Sequence, residues 1–271
     1  MKGAAFWLTI TCAAIFANAH AQKLPKVQDA SLRAPQTIKA DGKATEWNNQ
    51  FMAFNNITEV YYSLANDDTN LYFVLHATDA LVMRKIIAGS ITFTINSAKK
   101  EIDKDHNISV TYPVFDRKNW PAINLREKPI VSKDSIISHI RVDSFMYAVN
   151  TQIKDKAKQI KVLGIAAVSD TLVSIYNEYG IQAAALFDHQ INYTYELAIP
   201  LKYLGLATAN PVKFNYNVHL NGSNIVEGVS LTPEPNGNTI MRIMTKTPPS
   251  GIEFQYMRYP TDFWGEYTLA K

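Results

Sequence analysis

The sequence predicts an all-β protein, a single β-sandwich of two antiparallel sheets, immunoglobulin-like or jelly-roll in kind, with only short helices. Apolar and polar residues alternate over many short stretches, most regularly over 212–220, and clusters of Asn, Asp, Gly and Pro separate these stretches. Strict alternation is typical of a strand with one buried face. Many short alternating strands with turn signals between them are typical of sandwiches and barrels.

The clearest local element is a β-hairpin. Residues 60–65 and 70–79 alternate, and the polar residues 66–69 between them form a turn cluster. Further strands are predicted at 90–96, 107–113, 144–149, 160–168, 172–177, 181–187, 192–200 and 212–220.

Helical signals are weak. Thr78 and Asp79 precede an apolar run over 80–87 that predicts about two capped turns, and Pro200 predicts a single turn over 200–204. The stretches 115–133, 232–238 and 245–251 are irregular. Long loops on a rigid sandwich are common places for binding residues, so we expect ligand contacts there.

The N-terminus has the pattern of an export signal. Lys2 precedes an apolar run over 4–16, and the small residues Ala19 and Ala21 follow it. Because the run is too short to span a bilayer, it predicts a signal peptide over 1–21 that is cleaved after Ala21. We expect a lead segment over 22–35, one sandwich domain over 36–271, and a periplasmic or extracellular location.

Composition narrows the classes of partner. Cys12 is the only cysteine and lies in the predicted signal peptide, so the exported chain would have no disulfide and no zinc-thiolate site. Without Lys2, 26 basic residues (27 − 1) oppose 24 acidic residues, and the charges are scattered. This balance argues against nucleic acid as a partner. No later apolar run has the length of a transmembrane helix.

Three segments in order carry a family resemblance. Asp41-Gly42 with Glu46-Trp47, then the hairpin, then Tyr-Glu-Leu-Ala-Ile-Pro over 195–200, resemble the family 9 carbohydrate-binding modules and their wider relatives. The stretches 173–181 and 195–206 are also similar to uncharacterised secreted proteins of Bacteroidota-type bacteria. The resemblance implies a carbohydrate-binding-module type of sandwich, sugar held by exposed aromatic side chains near one end, and calcium ions that brace the loops.

Four residues are candidates for sugar contact. Trp120 lies in a polar irregular loop, where it is either an exposed platform or packed against the loop. Tyr256, Arg258 and Tyr259 combine aromatic rings with a guanidinium, as many recognition surfaces do, although packing at the rim of the sandwich would give the same spacing. Trp47 is expected in the core.

A calcium site is a further expectation. Asp103, Asp105 and Asn107 place oxygen-bearing side chains at alternate positions, as calcium loops do at their start. Ile108 and Val114 occupy the sixth and twelfth positions, so the segment is not an EF-hand. A solvated hairpin tip would explain the same residues.

Catalytic signatures are absent from the sequence: it has no Gly-x-Ser-x-Gly elbow, phosphate loop or dinucleotide fingerprint. We therefore predict a secreted carbohydrate-binding module that does not alter its ligand. One alternative is an envelope-associated structural or protein-interaction module. Another is a glycoside hydrolase, which would need two facing carboxylates; Glu46 and Glu196 are the candidate pair, and the surroundings of Glu46, Glu196 and Asp79 decide this alternative.

Overall fold

Two antiparallel sheets packed face to face form the protein, which confirms the predicted fold class. The computed structural model describes residues 23–96, 107–132, 136–223, 229–243 and 249–271. The five-stranded sheet has the order β1-β2-β3-β9-β8, with bounds β1 Ala53–Asn55, β2 Val60–Asn66, β3 Asn70–Ala77, β8 Gln182–Phe187 and β9 Tyr193–Pro200.

The second sheet has six strands in the order β13-β10-β4-β5-β6-β7. Its bounds are β4 Ile91–Asn96, β5 Asn107–Val114, β6 Gln159–Leu163, β7 Leu172–Ser174, β10 Lys213–Leu220 and β13 Thr261–Thr268. A separate hairpin joins β11 (Val229–Pro233) to β12 (Thr239–Ile243), where the sequence suggested an irregular stretch over 232–238.

The main core lies between the inner faces of the two sheets and is rich in aromatic rings. Phe73 of β3 stacks on Phe93 of β4 with ring centroids 4.7 Å apart. The hydroxyls of Tyr62 and Tyr216, one from each sheet, lie 2.9 Å apart in a hydrogen bond. Offset ring contacts of this kind add to the apolar area that the strands bury, so they fix how the sheets face each other.

A second, smaller core covers the outer face of the five-stranded sheet. Residues 32–51 cross that face, and Ala44 and Trp47 pack there against Tyr72, Val74 and Ala198. Trp47 is buried, which confirms its predicted place in the core. The sheet is therefore apolar on both faces, which explains the nearly continuous burial of β3 and β9.

The predicted lead segment lies against the sandwich. The Gln28 side chain exchanges two hydrogen bonds with the backbone of Leu64, at 2.7 and 2.9 Å. Ser31 donates to the carbonyl of Thr268 at 2.6 Å. Residues 28–31 are thus tied to a strand of each sheet.

Among the described residues, four α-helices connect the strands: α1 Ala80–Gly89, α2 Ile136–Lys156, α3 Leu201–Leu204 and α4 Gly251–Arg258. The helix predicted over 80–87 and the turn at Pro200 are confirmed as α1 and α3. Asp79 caps α1 by accepting from the N–H groups of Leu81 and Val82. α4 packs against α1 at one end of the sandwich.

The strand predicted over 144–149 is wrong, since those residues lie inside the 21-residue α2. The buried residues of α2 are Val142, Met146, Val149 and Ile153, spaced three or four apart as one face of a helix requires. α2 packs on β8 along this narrow face. Within the described ranges, no helix combines the length and the apolar character needed to cross a bilayer.

Candidate functional site

A cleft of about 620 Å³ opens between α2, the turn over 41–49 and the end of β8. We call it the α2 cleft. Its buried lining is mostly apolar, with Ala44, Met146, Leu186 and Phe187, and the buried Thr194, which is bonded to the His76 ring, is the polar exception. Its rim is polar, formed by Lys43, Thr45, Asn49, Asp143, Thr151, Lys154, Asp188 and His189. An apolar floor with a few polar groups around it is the usual make-up of a small-ligand site.

Tyr147 supplies an aromatic ring at the edge of the α2 cleft. Its side chain is 77% exposed, although the neighbouring Met146 is buried in the floor. A ring that α2 holds in solvent is available to stack on a ligand. Sequence reasoning missed Tyr147 because it placed the residue on a strand. The helical spacing of Val142, Met146 and Val149 is the signal that would have put Tyr147 on the outer side.

One wall of the α2 cleft is the turn over 41–49, and Glu196 of β9 holds this turn in place. The Glu196 carboxylate accepts the N–H groups of Asp41, Gly42 and Lys43 at 3.0, 2.9 and 3.2 Å. Its other oxygen accepts the indole N–H of Trp47 at 2.8 Å. Three successive backbone donors around one oxygen form an anion-binding nest, here filled by a side chain of the same protein.

Burial raises the pKa of the Glu196 carboxyl to about 7, while the hydrogen bonds from Trp47, Gly42 and Asp41 act to lower it. All four donors that Glu196 accepts come from the turn over 41–49, so this carboxylate holds the turn in place. Glu46 is half-exposed and accepts from Thr45, and Asp79 caps α1. The carboxylates considered for hydrolysis are therefore engaged in structural contacts, and none of them lines the α2 cleft.

Gly42 allows the turn to approach the sheet. Its φ is +84°, and an added Cβ would lie 2.8 Å from the carbonyl carbon of Ala185 in β8. Any other residue would be strained by its backbone conformation and would push the turn away from β8. This close approach brings Lys43 and Thr45 to the rim of the α2 cleft.

The opposite wall is α2, which Asn150 fixes to β8. Asn150 accepts the N–H of Phe187 at 2.8 Å and donates to the carbonyl of the same residue at 3.0 Å. The Asn150 side chain thus provides hydrogen-bond partners for the backbone N–H and carbonyl of Phe187 at the edge strand β8. Both walls of the α2 cleft are thus bonded to adjacent strands, so the cleft is preformed.

The rim carries charges of both signs. Asp41 lies 3.6 Å from Lys43, and Asp143 lies 3.2 Å from the His189 ring nitrogen. Lys154 has no ion-pair partner among the residues that the structure describes. The α2 cleft therefore offers ammonium donors, carboxylate acceptors and threonine hydroxyls around an apolar floor. That mixture suits a polar, hydroxyl-rich ligand with an apolar face.

The sequence-predicted sugar residues lie elsewhere. Trp120 is half-buried and packs edge-on against Phe115, with ring centroids 5.4 Å apart. Its carbonyl accepts from Lys156 at 2.9 Å. The ring therefore contributes to the attachment of its loop, and it does not line the α2 cleft.

Tyr256, Arg258 and Tyr259 lie together at the C-terminal end of α4. The Lys85 ammonium sits 4.4 Å above the centre of the Tyr256 ring, and the Tyr256 hydroxyl donates to Glu59 at 3.5 Å. Arg258 and Tyr259 are exposed. The structure brings these three residues together, apart from Trp120, and none of them lines the α2 cleft.

The predicted calcium ligands are only partly described. Asp103 and Asp105 lie outside the described residues. Asn107 begins β5 and pairs with Asn96 of β4. In the part of the chain that the structure describes, no three His, Cys, Asp or Glu side chains converge as a metal site would require.

No protein-family model, curated protein or solved structure matches this chain. The geometry of the described residues is therefore the main basis for a functional proposal.

Proposed function

We propose that this protein is a secreted carbohydrate-binding module that leaves its ligand chemically unchanged, and that the α2 cleft holds the sugar. The exposed ring of Tyr147 beside an apolar floor and a hydrogen-bonding rim is the observation that carries the proposal. The export signal predicted from residues 1–21 and the segments that resemble family 9 modules support it.

The chemistry of a sugar fits this arrangement. A pyranose ring has an apolar face that stacks on a phenol ring, while its hydroxyls need directional hydrogen-bond partners. Tyr147 provides the stacking surface, and Lys154, Asp143 and Thr151 provide donors and acceptors within the same lining. Because both walls are bonded to strands, little ordering accompanies binding, which favours affinity.

The proposal is tested by binding of the purified protein to a glycan array, followed by calorimetry with the oligosaccharides that bind. Tyr147→Ala should weaken binding by about tenfold, since the stacking contact is lost. Lys154→Met should also weaken it, because one rim donor is removed while the side-chain length is kept.

Tyr176→Ala is the matched control. Tyr176 is as exposed as Tyr147, at 79% against 77%, but it does not line the α2 cleft. Its removal should leave binding unchanged. The absence of sugar binding across a broad array, or equal binding by Tyr147→Ala and wild-type protein, would contradict the proposal.

A second candidate function, protein interaction, is supported by exposed apolar residues at the start of α2. Ile130, Ile136, Ile137 and Ile140 expose most of their side chains beside a groove of about 630 Å³ at the start of α2. Contiguous exposed apolar surface is typical of protein interaction sites. It favours the alternative of an envelope-associated interaction module, in which this end of α2 contacts another protein.

A photo-cross-linking residue tests this alternative inside the cell. Placed at Ile137, it should give one discrete adduct, and the same residue at Tyr176 should give none. A purified partner identified in this way should bind the wild-type protein. It should bind less tightly to the double variant that combines Ile136→Ser and Ile140→Ser. Equal binding of that variant would exclude this surface.

A further inference from the structure

The outer face of the six-stranded sheet carries a row of side chains that crosses five strands. Trp264 lies opposite Asn217, Asn217 opposite Thr94, Thr94 opposite Ser109, and Ser109 opposite Leu163. We call these five residues the Trp264 row. Directly paired residues project from the same face of a sheet, so the row is continuous.

The Trp264 row differs from the inner face in chemistry. The inner residues of the same strands, among them Phe93, Tyr216 and Phe263, are buried apolar side chains of the main core. The outer row is instead a Trp, an Asn, a Thr, a Ser and a Leu. The indole of Trp264 is 42% exposed at one end, and Leu163 is exposed at the other.

The polar groups of the Trp264 row differ in exposure, because Asn217 is only 6% exposed. Thr94 and Ser109 are half-exposed, and neither hydroxyl has a hydrogen-bond partner among the described residues. Asn217 uses its amide N–H groups on Asp262 and the carbonyl of Phe263, at 2.7 and 3.0 Å. Its amide oxygen accepts from no described residue. The row therefore offers the two half-exposed hydroxyls of Thr94 and Ser109, with the largely buried Asn217 between Trp264 and Thr94.

Three of the charged residues beside the row are already engaged. Lys213 lies 2.9 Å from Glu266, and Asp262 accepts from Asn217. The row itself contains no ionisable side chain. This favours an uncharged ligand over nucleic acid, which needs unpaired basic groups along its phosphates. The Trp264 row also lacks the apolar centre that a stable protein interface buries.

The dimensions of the row match an extended chain. Neighbouring strands lie about 4.8 Å apart, so five strands span roughly 19 Å along the row. A groove of about 500 Å³ lies beside Trp264, between β13 and residues 27–31, and continues this surface past the edge of the sheet. A hydroxyl or amide recurs at each strand between the two exposed apolar ends.

We propose that the Trp264 row binds an extended, uncharged polysaccharide across the six-stranded sheet, as a second site separate from the α2 cleft. Trp264 stacks on one sugar ring, and Thr94 and Ser109 bond the hydroxyls of the following rings. The inference takes its ligand class from the proposed function, but it depends on different residues, on the other sheet.

Native gel electrophoresis of the purified protein, through gels that contain one polysaccharide each, tests the inference. The probes are hydroxyethylcellulose, xylan, glucomannan and mixed-linkage β-glucan, with polygalacturonate as the charged comparison. At least one neutral polymer should retard the protein. Trp264→Ala should weaken that binding by roughly tenfold. Thr94→Val combined with Ser109→Ala should weaken it while the indole stays in place.

Tyr147→Ala separates the two sites, and Tyr176→Ala is the control for loss of an exposed ring. Polymer binding that depends on Trp264 and survives Tyr147→Ala supports the row. If oligosaccharide binding depends on Tyr147 but no polymer is retarded in a way that depends on Trp264, the proposal for the Trp264 row is wrong. The proposal for the α2 cleft is then still supported. Retardation by polygalacturonate alone, or by no polymer, also contradicts the proposal that the Trp264 row binds an uncharged polysaccharide. Thermal unfolding of each variant checks that it is folded.

Discussion

The indole of Trp47 and the carboxylate of Glu196 are joined by a 2.8 Å hydrogen bond beneath the turn that forms one wall of the α2 cleft. The residues are 149 positions apart in the chain. Trp47 fills the smaller core, and its one polar atom needs an acceptor there. Glu196 meets that need and also accepts from the backbone of the turn, so one side chain couples the outer core to the cleft.

Glu196→Gln should therefore destabilise the protein. The substitution replaces a carboxyl acceptor with an amide that turns one N–H₂ group toward groups that are all donors. We expect a loss of about 3 kcal/mol in the free energy of unfolding at about pH 5. The loss should be smaller at about pH 8, because burial raises the wild-type pKa to about 7 and so penalises the charged carboxylate there. Urea unfolding measures it. Glu46→Gln, on the same turn but half-exposed, should change the free energy little. Equal effects of the two substitutions would contradict the role given to Glu196.

Gly42→Ala should move the turn and disturb the cleft. The new methyl group would lie 2.8 Å from the backbone of Ala185, at a φ of +84°. We expect a loss of about 3 kcal/mol in the free energy of unfolding, because steric overlap adds to backbone strain. Gly205→Ala is the matched control. Its φ is +64° and its added Cβ meets nothing within 4 Å, so only the strain of about 1 kcal/mol should remain. A Gly42→Ala protein as stable as the control would show that the turn can shift freely.

Glu253 should make stability depend on acidic pH. Burial acts to raise the pKa of this carboxyl, but Arg84 and Arg126 outweigh burial and hold it below its ordinary value of 4.5. Stabilisation from the group is thus present above pH 4.5 and is lost as the pH falls through the lowered value. Glu253→Gln should lower the free energy of unfolding by about 2 kcal/mol near neutral pH and should flatten this acid dependence. Unfolding of both proteins across the acid range measures the effect.

Glu266→Gln provides the comparison for Glu253. Glu266 pairs with Lys213 at 2.9 Å, but both side chains are more than half exposed. An exposed pair is worth little, so we expect a change below about 1 kcal/mol. Similar losses in the two variants would mean that burial of the Glu253 carboxylate does not matter.

Lys85 should make the free energy of unfolding depend on pH in the alkaline range. Its side chain is fully buried, its ammonium donates to Thr261 at 3.1 Å, and burial lowers its pKa to about 8. The unfolded chain keeps the ordinary value of 10.5, so it binds more protons between these two values. The free energy of unfolding contributed by Lys85 therefore rises with pH across that window.

The variant Lys85→Met should lack this rise, because methionine keeps the packing without the charge. The difference in unfolding free energy between wild-type and variant, measured at several values from about pH 7 to about pH 10, isolates the lysine. Lys202→Met is the control, since Lys202 also lies over a tyrosine ring but is exposed. A flat difference for Lys85→Met would show that the ammonium is not destabilised by burial.

The strands could be predicted because burial of one face imposes a period of two. The hairpin, β4, β5 and β10 were all visible in this way. α2 was not, because only four of its 21 residues are buried and Phe145, Tyr147 and Val149 happen to alternate. A helix that packs along so narrow a face leaves a weak apolar period in its sequence.

The sites were beyond sequence reasoning for a different reason. The α2 cleft joins Lys43, Tyr147 and Phe187, which are far apart in the chain, and only the packing of α2 on β8 brings them together. The Trp264 row depends on the register of five strands, which periodicity alone does not supply. Trp47 could be placed in the core from its position after the Asp41-Gly42 turn. The sequence does not distinguish its partner Glu196 from the other carboxylates of the chain, so the hydrogen bond between them could not be predicted.

The contact of residues 28–31 with β13 has a consequence for how the chain matures. Ser31 meets Thr268 across 237 positions, and Asn66 also bonds the backbone of Ala270. Contacts of such long sequence separation form slowly, because a large loop must close before they are gained. A nascent chain cannot complete the six-stranded sheet until β13, its last strand, has been synthesised. These contacts therefore form only after nearly the whole chain has been made.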